Sequence, residues 1–400
     1  MVNWLKVRVN LGFLVNPFYI FAAAFSLAIF VYLWGWSSIF PQLSAGLLSF
    51  LIFSALLFIF AGRKTAFTLF NQNRGNDFGY INEFFFSLII TLGTVNVFFM
   101  GYLPILSPLN DYRKFGVPVL DPVFNSLSIF FSAFFFHSFL KSKKKKFLLY
   151  VILILLFQIL LFRRSTMVWI LTSSSFLYLL QKQKIKLLIL VTAIVCIPVL
   201  SYCFGLYGNK RSNLNESYVI NDLGASESFK HSGISYNHYI TYLYLSSPLA
   251  NLQKNVDNGN GFLNNRDFKA FFFYSLLPQS FTLRLEKTLK LIPPECSLII
   301  PDLIAGSFFL IGFFTLGWLG MALMLIYLFA IILLCLFLLK KCDTFSVSTY
   351  SILVTAVSLM IFSNFLNRLD VILMLFVYPP FFHLIYTGKI RNLLMRKVVK

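Results

Sequence analysis

The sequence predicts an all-α, polytopic helical membrane protein of about ten transmembrane helices, with one large loop on the outer side. Three observations carry that expectation. The 400-residue chain is 58% hydrophobic and only 12% charged, more apolar surface than a soluble fold of this size can bury. Several apolar runs approach or exceed the ~20 residues that cross a bilayer as a helix. The basic residues, which bring the formal net charge to +20, fall mostly in short blocks between those runs, as the positive-inside rule expects. This placement argues against nucleic acid as a partner, and there is no zinc spacing, P-loop or aromatic-basic RNA motif.

The elements follow in order. A first span, 11–34, lies behind Lys6 and Arg8; without a convincing small-residue cleavage site it reads as a retained span rather than a signal peptide. Arg63, Lys64 and Arg74 separate spans 42–62 and 80–101. Span 119–140 ends on "KSKKKK" (141–146). Spans 147–162 and 165–180 are followed by Lys182, Lys184 and Lys186, and then by span 187–206. After a long polar stretch, 207–297, come spans 312–339, 347–364 and 369–388, with Lys340 and Lys341 after the first and a basic tail from Lys389. This places twenty basic residues inside, against five in the short outer loops: Arg113, Lys114, Arg163, Arg164 and Arg368. The bias sets both termini in the cytoplasm. The chain thus divides into an N-terminal bundle (1–206), an outer segment (207–297) and a C-terminal membrane segment (298–400).

The run 147–180 would be about 51 Å long as one helix at ~1.5 Å per residue, against a hydrocarbon core of ~30 Å. Lysines flank both ends, so it must fold as a hairpin with Arg163 and Arg164 at an outer tip. Arginine near hydrocarbon is expensive. It is either snorkelling or binding an anion, and its guanidinium fork suits phosphate.

The outer segment holds nine basic and seven acidic residues, so it is no solvated charge tail. "YNHYITYLYLSSPLANL" reads as a surface helix ended by Pro248. "FKAFFFYSLLPQSF" (268–281) reads as an interfacial or re-entrant helix and "FTLRLEKTLKLI" (281–292) as an amphipathic one. Cys203 and Cys296 bracket the segment, either as a loop-closing pair in an oxidising compartment or as free thiols. No metal constellation is present. The inner face carries few acids (Asp77, Asp343 and Glu83) and no Asp-x-Asp pair, against a metal-dependent nucleotide-sugar site. Asp121, Asp302 and Asp370 lie near outer span edges and no acid sits mid-span, against an ion-coupled transporter.

Several stretches resemble one family. "GYLPIL" (101–106) with "FGVPVLDP" (115–122) looks like the first outer loop of the O-antigen polymerases, the Wzy-type oligosaccharide repeat-unit polymerases. "FRRST" (162–166) resembles their arginine-bearing hairpin tip, "YGNKRSN" (207–213) and "YLYLSSPLANL" (242–252) the start of their large periplasmic loop, and "FFTLGWLG" (313–320) the glycine-spaced start of the following helix. The resemblance implies a metal-independent, cofactor-free glycosyltransferase of the bacterial inner membrane. It would polymerise undecaprenyl-pyrophosphate-linked oligosaccharide repeat units on the periplasmic face in lipopolysaccharide O-antigen synthesis. Membrane lipid and a chain-length regulator protein would be further partners. The Arg-x10-Gly pattern of some members is missing here. On this reading Arg163, Arg164, Arg211 and Arg113 bind pyrophosphate and His238 is the base, with His231, Glu216 and Glu295 as rivals. An O-antigen ligase would show similar loop chemistry. A lipid-linked oligosaccharide flippase would have shorter loops and charged span centres.

Overall fold

The computed structural model describes residues 8–10, 15–65, 79–106, 115–182, 184–212, 215–259 and 267–386. Its helices, in chain order, are α1 (Pro17–Tyr32), α2 (Ala45–Lys64), α3 (Gly79–Met100), α4 (Leu120–Ser142), α5 (Lys145–Leu160), α6 (Arg164–Lys182), α7 (Leu187–Ser212), α8 (Glu227–Lys230), α9 (Tyr236–Asp257), α10 (Phe268–Phe271), α11 (Gln279–Leu289), α12 (Leu310–Leu339), α13 (Ser346–Leu359), α14 (Leu369–Ile372) and α15 (Tyr378–Tyr386). Two three-residue strands, β1 (Arg8–Asn10) and β2 (Lys184–Lys186), pair antiparallel with Arg8 opposite Lys186.

A helix lies within each of the ten apolar segments. Among the described residues five helices are long and apolar enough to cross a membrane: Ala45–Lys64, Asn82–Met100, Leu120–Ser142, Leu310–Leu339 and Leu369–Tyr386. Pro17–Tyr32, Ile194–Asn209 and Ser346–Leu359 are shorter apolar helices. Local chemistry explains several boundaries. Asn16 caps α1 by accepting from the Phe18 N–H at 3.0 Å, with Pro17 in the first turn, where its missing N–H costs nothing. Ser44 caps α2, whose last turn carries Arg63 and Lys64 against the negative helix end. The run 147–180 is a hairpin, broken between α5 and α6 at Leu161–Arg163, where Phe162 takes a positive φ of 54°.

The chain forms two compact units, and neither is a contiguous segment. The first comprises 1–66, 183–329 and 357–367, the second 67–182, 330–356 and 368–400.

In the first unit α9 packs against both α1 and α7. Val219, Leu223, Phe229, Tyr239, Tyr242 and Leu303 share one buried core with Val31 of α1, beside Trp36 and Phe40. The turn after α1 is stitched to this core: the Ser38 N–H donates to Gly224 O and the Ser226 N–H to Trp36 O, both at 2.8 Å.

One expectation is corrected here. Pro248 does not end its helix; α9 runs on to Asp257. Proline removes one N–H, and the hydrogen bonds beyond it outweigh that loss. Asn251 Nδ2 donates to Leu303 O and Ala305 O at 2.6 and 2.7 Å, and Asn251 Oδ1 accepts from the Ile299 N–H at 2.8 Å. Asn255 both donates to and accepts from the Ser297 backbone. The helix of the 312–339 span is kinked. Gly317 has φ 62° and ψ −142°, which kinks α12. The fold-back brings Gly312 and Gly320 so close that a Cβ on Gly320 would overlap the Gly312 carbonyl. The straight span begins near Trp318.

In the second unit α4 packs against α3, α5 and α6. Phe130, Phe131 and Phe135 are fully buried on it. Ser126 and Tyr378 hydroxyls share a 2.7 Å hydrogen bond, and the Tyr386 hydroxyl donates to Asn82 Oδ1 at 2.9 Å.

Candidate functional site

The hairpin tip belongs to the second unit. Phe162 turns the chain so that Arg163 and Arg164 stand at the start of α6. Arg163 forks onto Asp121, in the first turn of α4: Nη1 donates to Oδ2 at 2.7 Å and Nη2 to Oδ1. Nη2 also reaches Phe115 O at 3.3 Å, and the guanidinium lies over the Phe115 ring. Asn125 Nδ2 donates to Asp121 Oδ2 at 3.2 Å. Gly116, at φ 124°, leaves room for the Asp121 carboxyl where a Cβ would collide with it. Arg163 and Asp121 are only 15% and 19% exposed, so the pair is largely shielded from water. Arg164 is half-buried at the first helical position of α6.

Both arginines are thus together at one helix start, and Arg163 already holds a carboxylate with the same two-pronged geometry that would bind a phosphate. Sequence reasoning missed Asp121 as its partner. The two are 42 residues apart, and only the packing of α4 on α6 brings them together.

His238 lies in the first turn of α9, in the first unit. Its Nδ1 shares a 3.1 Å hydrogen bond with Ser201 Oγ on α7, and its ring lies 5.8 Å from that of Tyr202. This is one rung of a polar seam. Asn209 Nδ2 donates to Asn237 Oδ1 at 2.7 Å, and Thr241 Oγ1 donates to Ser201 O at 2.8 Å. Gly205 sits between them, where a Cβ would overlap the Asn237 carbonyl. Ser201, Gly205 and Asn209, spaced by four, form one small, polar face of an otherwise apolar helix. That spacing was a readable signal for helix packing, and it sets the His238 ring orientation.

Arg211 lies in the last turn of α7; its side chain, like all of Arg113, lies outside the described residues. Of the rival bases, His231 is exposed and 3.7 Å from Glu227, while Glu216 and Glu295 are exposed. Lys230 donates to Glu227, which holds that carboxyl below its usual range. Tyr218 donates to Asp302 at 2.6 Å, which pushes the phenol up. Cys203 and Cys296 are not bonded to each other, and burial pushes the Cys296 thiol up to about 11. Among the described residues no three His, Cys, Asp or Glu side chains converge as a metal site. Compared with protein families, with curated proteins and with solved structures, the chain gives no match.

Proposed function

We propose that this chain is a multi-pass glycosyltransferase of the bacterial inner membrane, acting on its periplasmic face as an O-antigen polymerase. The observation that carries the reading is the paired arginine tip of the α5–α6 hairpin, held at the rim of an apolar bundle. A cationic rim above hydrocarbon suits a donor with its prenyl tail in the bilayer and its pyrophosphate at the surface.

In the reaction an acceptor hydroxyl attacks the anomeric carbon of the donor glycan. The bond to the pyrophosphate oxygen breaks and undecaprenyl pyrophosphate leaves. Arg164 is assigned to the charge that develops on that leaving group. Arg163, engaged by Asp121, is assigned to holding the tip and lending its positive field, with Arg211 and Arg113 as further pyrophosphate contacts. His238 is assigned the acceptor proton.

The ten-span topology with inner termini is part of the reading. Its support is that contacts within each unit join ends placed on one side by charge. β1 pairs with β2, Lys146 meets Glu83 at 3.2 Å, and Thr344 shares a hydrogen bond with His383, all at proposed inner ends. Arg163 meets Asp121, and Ser37 bridges Ala225, at proposed outer ends.

The test is the lipopolysaccharide ladder of a strain carrying Arg164→Ala at unchanged protein abundance. Loss of a charge-assisted hydrogen bond costs about 1.5–3 kcal/mol, or roughly 10- to 150-fold in rate, and should leave core with a single repeat unit. Lysine should rescue only in part, because it lacks the planar fork. A full ladder would remove Arg164 from the site. Core lacking any repeat would point instead to a ligase or a flippase.

A further inference from the structure

Residues 267–290 raise a question of backbone chemistry. Here α10 runs into a π-helical turn, Phe272–Leu276, and the chain reverses at Leu277–Pro278 into α11. The two arms lie antiparallel. Thr282 Oγ1 donates to Phe273 O at 2.6 Å across the middle, and Lys269 Nζ donates to Leu289 O at 2.7 Å across the open end.

The π-turn frees a run of carbonyls, and protein side chains take each in turn. Besides Phe273 O, Tyr274 O accepts from Asn367 Nδ2 at 3.3 Å, Ser275 O from Asn364 Nδ2 at 2.6 Å and Leu276 O from the Tyr327 hydroxyl at 3.3 Å. On a wet surface water would serve these groups. In hydrocarbon, irregular backbone survives only where protein satisfies it, since an unmet amide costs several kcal/mol.

Tyr327 lies nine positions beyond Trp318 on α12, or about 14 Å along the helix at ~1.5 Å per residue, while Asn364 and Asn367 stand at the end of the 347–364 span and in the turn after it. Asp267, Lys269, Lys287 and Lys290 lie toward the open end, Arg284 and Glu286 midway along α11, and Leu276–Leu277–Pro278 at the tip, followed by the exposed Gln279. Beside the tip, Phe272 and Phe281 are 48% and 52% exposed, an apolar surface that no described residue covers.

We propose that residues 267–290 are a re-entrant hairpin that enters the outer half of the bilayer tip first. Phospholipid acyl chains cover Phe272 and Phe281, and lipid phosphates meet the lysines at its mouth. This rests on the outer placement of the 207–297 segment, but not on any enzymatic role.

The full-length chain, with its five cysteines replaced by serine, carries one cysteine at position 272 or 281 labelled with an environment-sensitive fluorophore. It is reconstituted in phosphatidylethanolamine–phosphatidylglycerol vesicles. Both probes should show blue-shifted emission, lose intensity in lipids brominated on the acyl chain and resist aqueous iodide. They should thus behave as a probe at Phe53, exposed on α2, and not as one at Ser228 on α8. Probes at 272 and 281 that follow Ser228 while Phe53 is quenched by brominated chains would overturn the hairpin and leave the membrane reading standing. Failure at Phe53 as well would overturn both. The wild-type chain, photolabelled in vesicles doped with a photoreactive acyl-chain phospholipid, gives an independent readout. Adducts should fall within 271–283, and adducts on α2 with none in that stretch would refute the proposal.

Discussion

At the scale of single residues, Arg163 and Arg164 are neighbours for which different roles are proposed. Arg163 spends both terminal nitrogens on Asp121 in a largely shielded pair. Removing one partner of such a pair leaves a charge in a poor solvent, at about 3–5 kcal/mol when fully buried. Water reaches this pair in part, so a loss of about 1.5–3 kcal/mol is the better expectation. Arg163→Ala should therefore lower the melting temperature of the purified protein in detergent. Adding Asp121→Ala should recover part of the loss, because the stranded carboxylate is gone. A single variant that melts like the parent would show that the pair contributes nothing to stability. The same measurement separates a structural loss at Arg163 from the functional loss proposed for Arg164. Sequence alone leaves open which of the two holds the tip, because the carboxylate that Arg163 grips sits on another helix.

At the scale of elements, the sequence reveals what length and periodic apolarity control and hides what tertiary hydrogen bonds control. Each apolar run holds a helix, and the 147–180 run breaks at its arginines, because a bilayer-sized run needs no partner to be recognised. Pro248 misleads, because the side chains that carry α9 past it bind the 297–305 backbone, some 50 residues away. The kink at Gly317 was equally invisible, because the non-helical backbone there and the close approach of Gly312 to Gly320 arise only in the folded chain. Nor did the base candidate, His238, announce its anchor, although the Ser201, Gly205 and Asn209 spacing on α7 was there to be read. The α9 ladder has a direct consequence. Asn251 is fully buried and serves three backbone groups of the returning chain. Asn251→Ala leaves all three without their partner, at about 1–3 kcal/mol for a buried group left unmet. The extended stretch after α11 should then open locally. Limited proteolysis should cut within 291–305 faster than in the parent, while a far-ultraviolet spectrum stays helical. Unchanged cleavage would mean that the ladder does not hold that stretch down.

At the scale of the whole molecule, one assumption orients everything else: the side on which the hairpin tips lie. The proposal takes the α5–α6 tip as outside and the "KSKKKK" block as inside, from the distribution of basic residues. Contacts within the units agree with that sorting, since Arg163 meets Asp121 at one end of its helices and Lys146 meets Glu83 at the other. Ser165 and Ser142 are both exposed and sit beside these two ends. With the native cysteines removed, Ser165→Cys should react with a membrane-impermeant thiol reagent in intact spheroplasts. Ser142→Cys should react only after lysis. The pair matters more than either alone. A slow reaction at Ser165→Cys before and after lysis would reflect burial, whereas a reversed order at both positions would reverse the topology. In that case the arginines face the cytoplasm, a periplasmic polymerase loses its anion site, and the 267–290 hairpin must enter the inner leaflet instead. The positive-inside bias is strong in this chain but statistical in nature. Two cysteines, read on one gel, turn it into a measured orientation on which the lipid, the arginines and the re-entrant hairpin all depend.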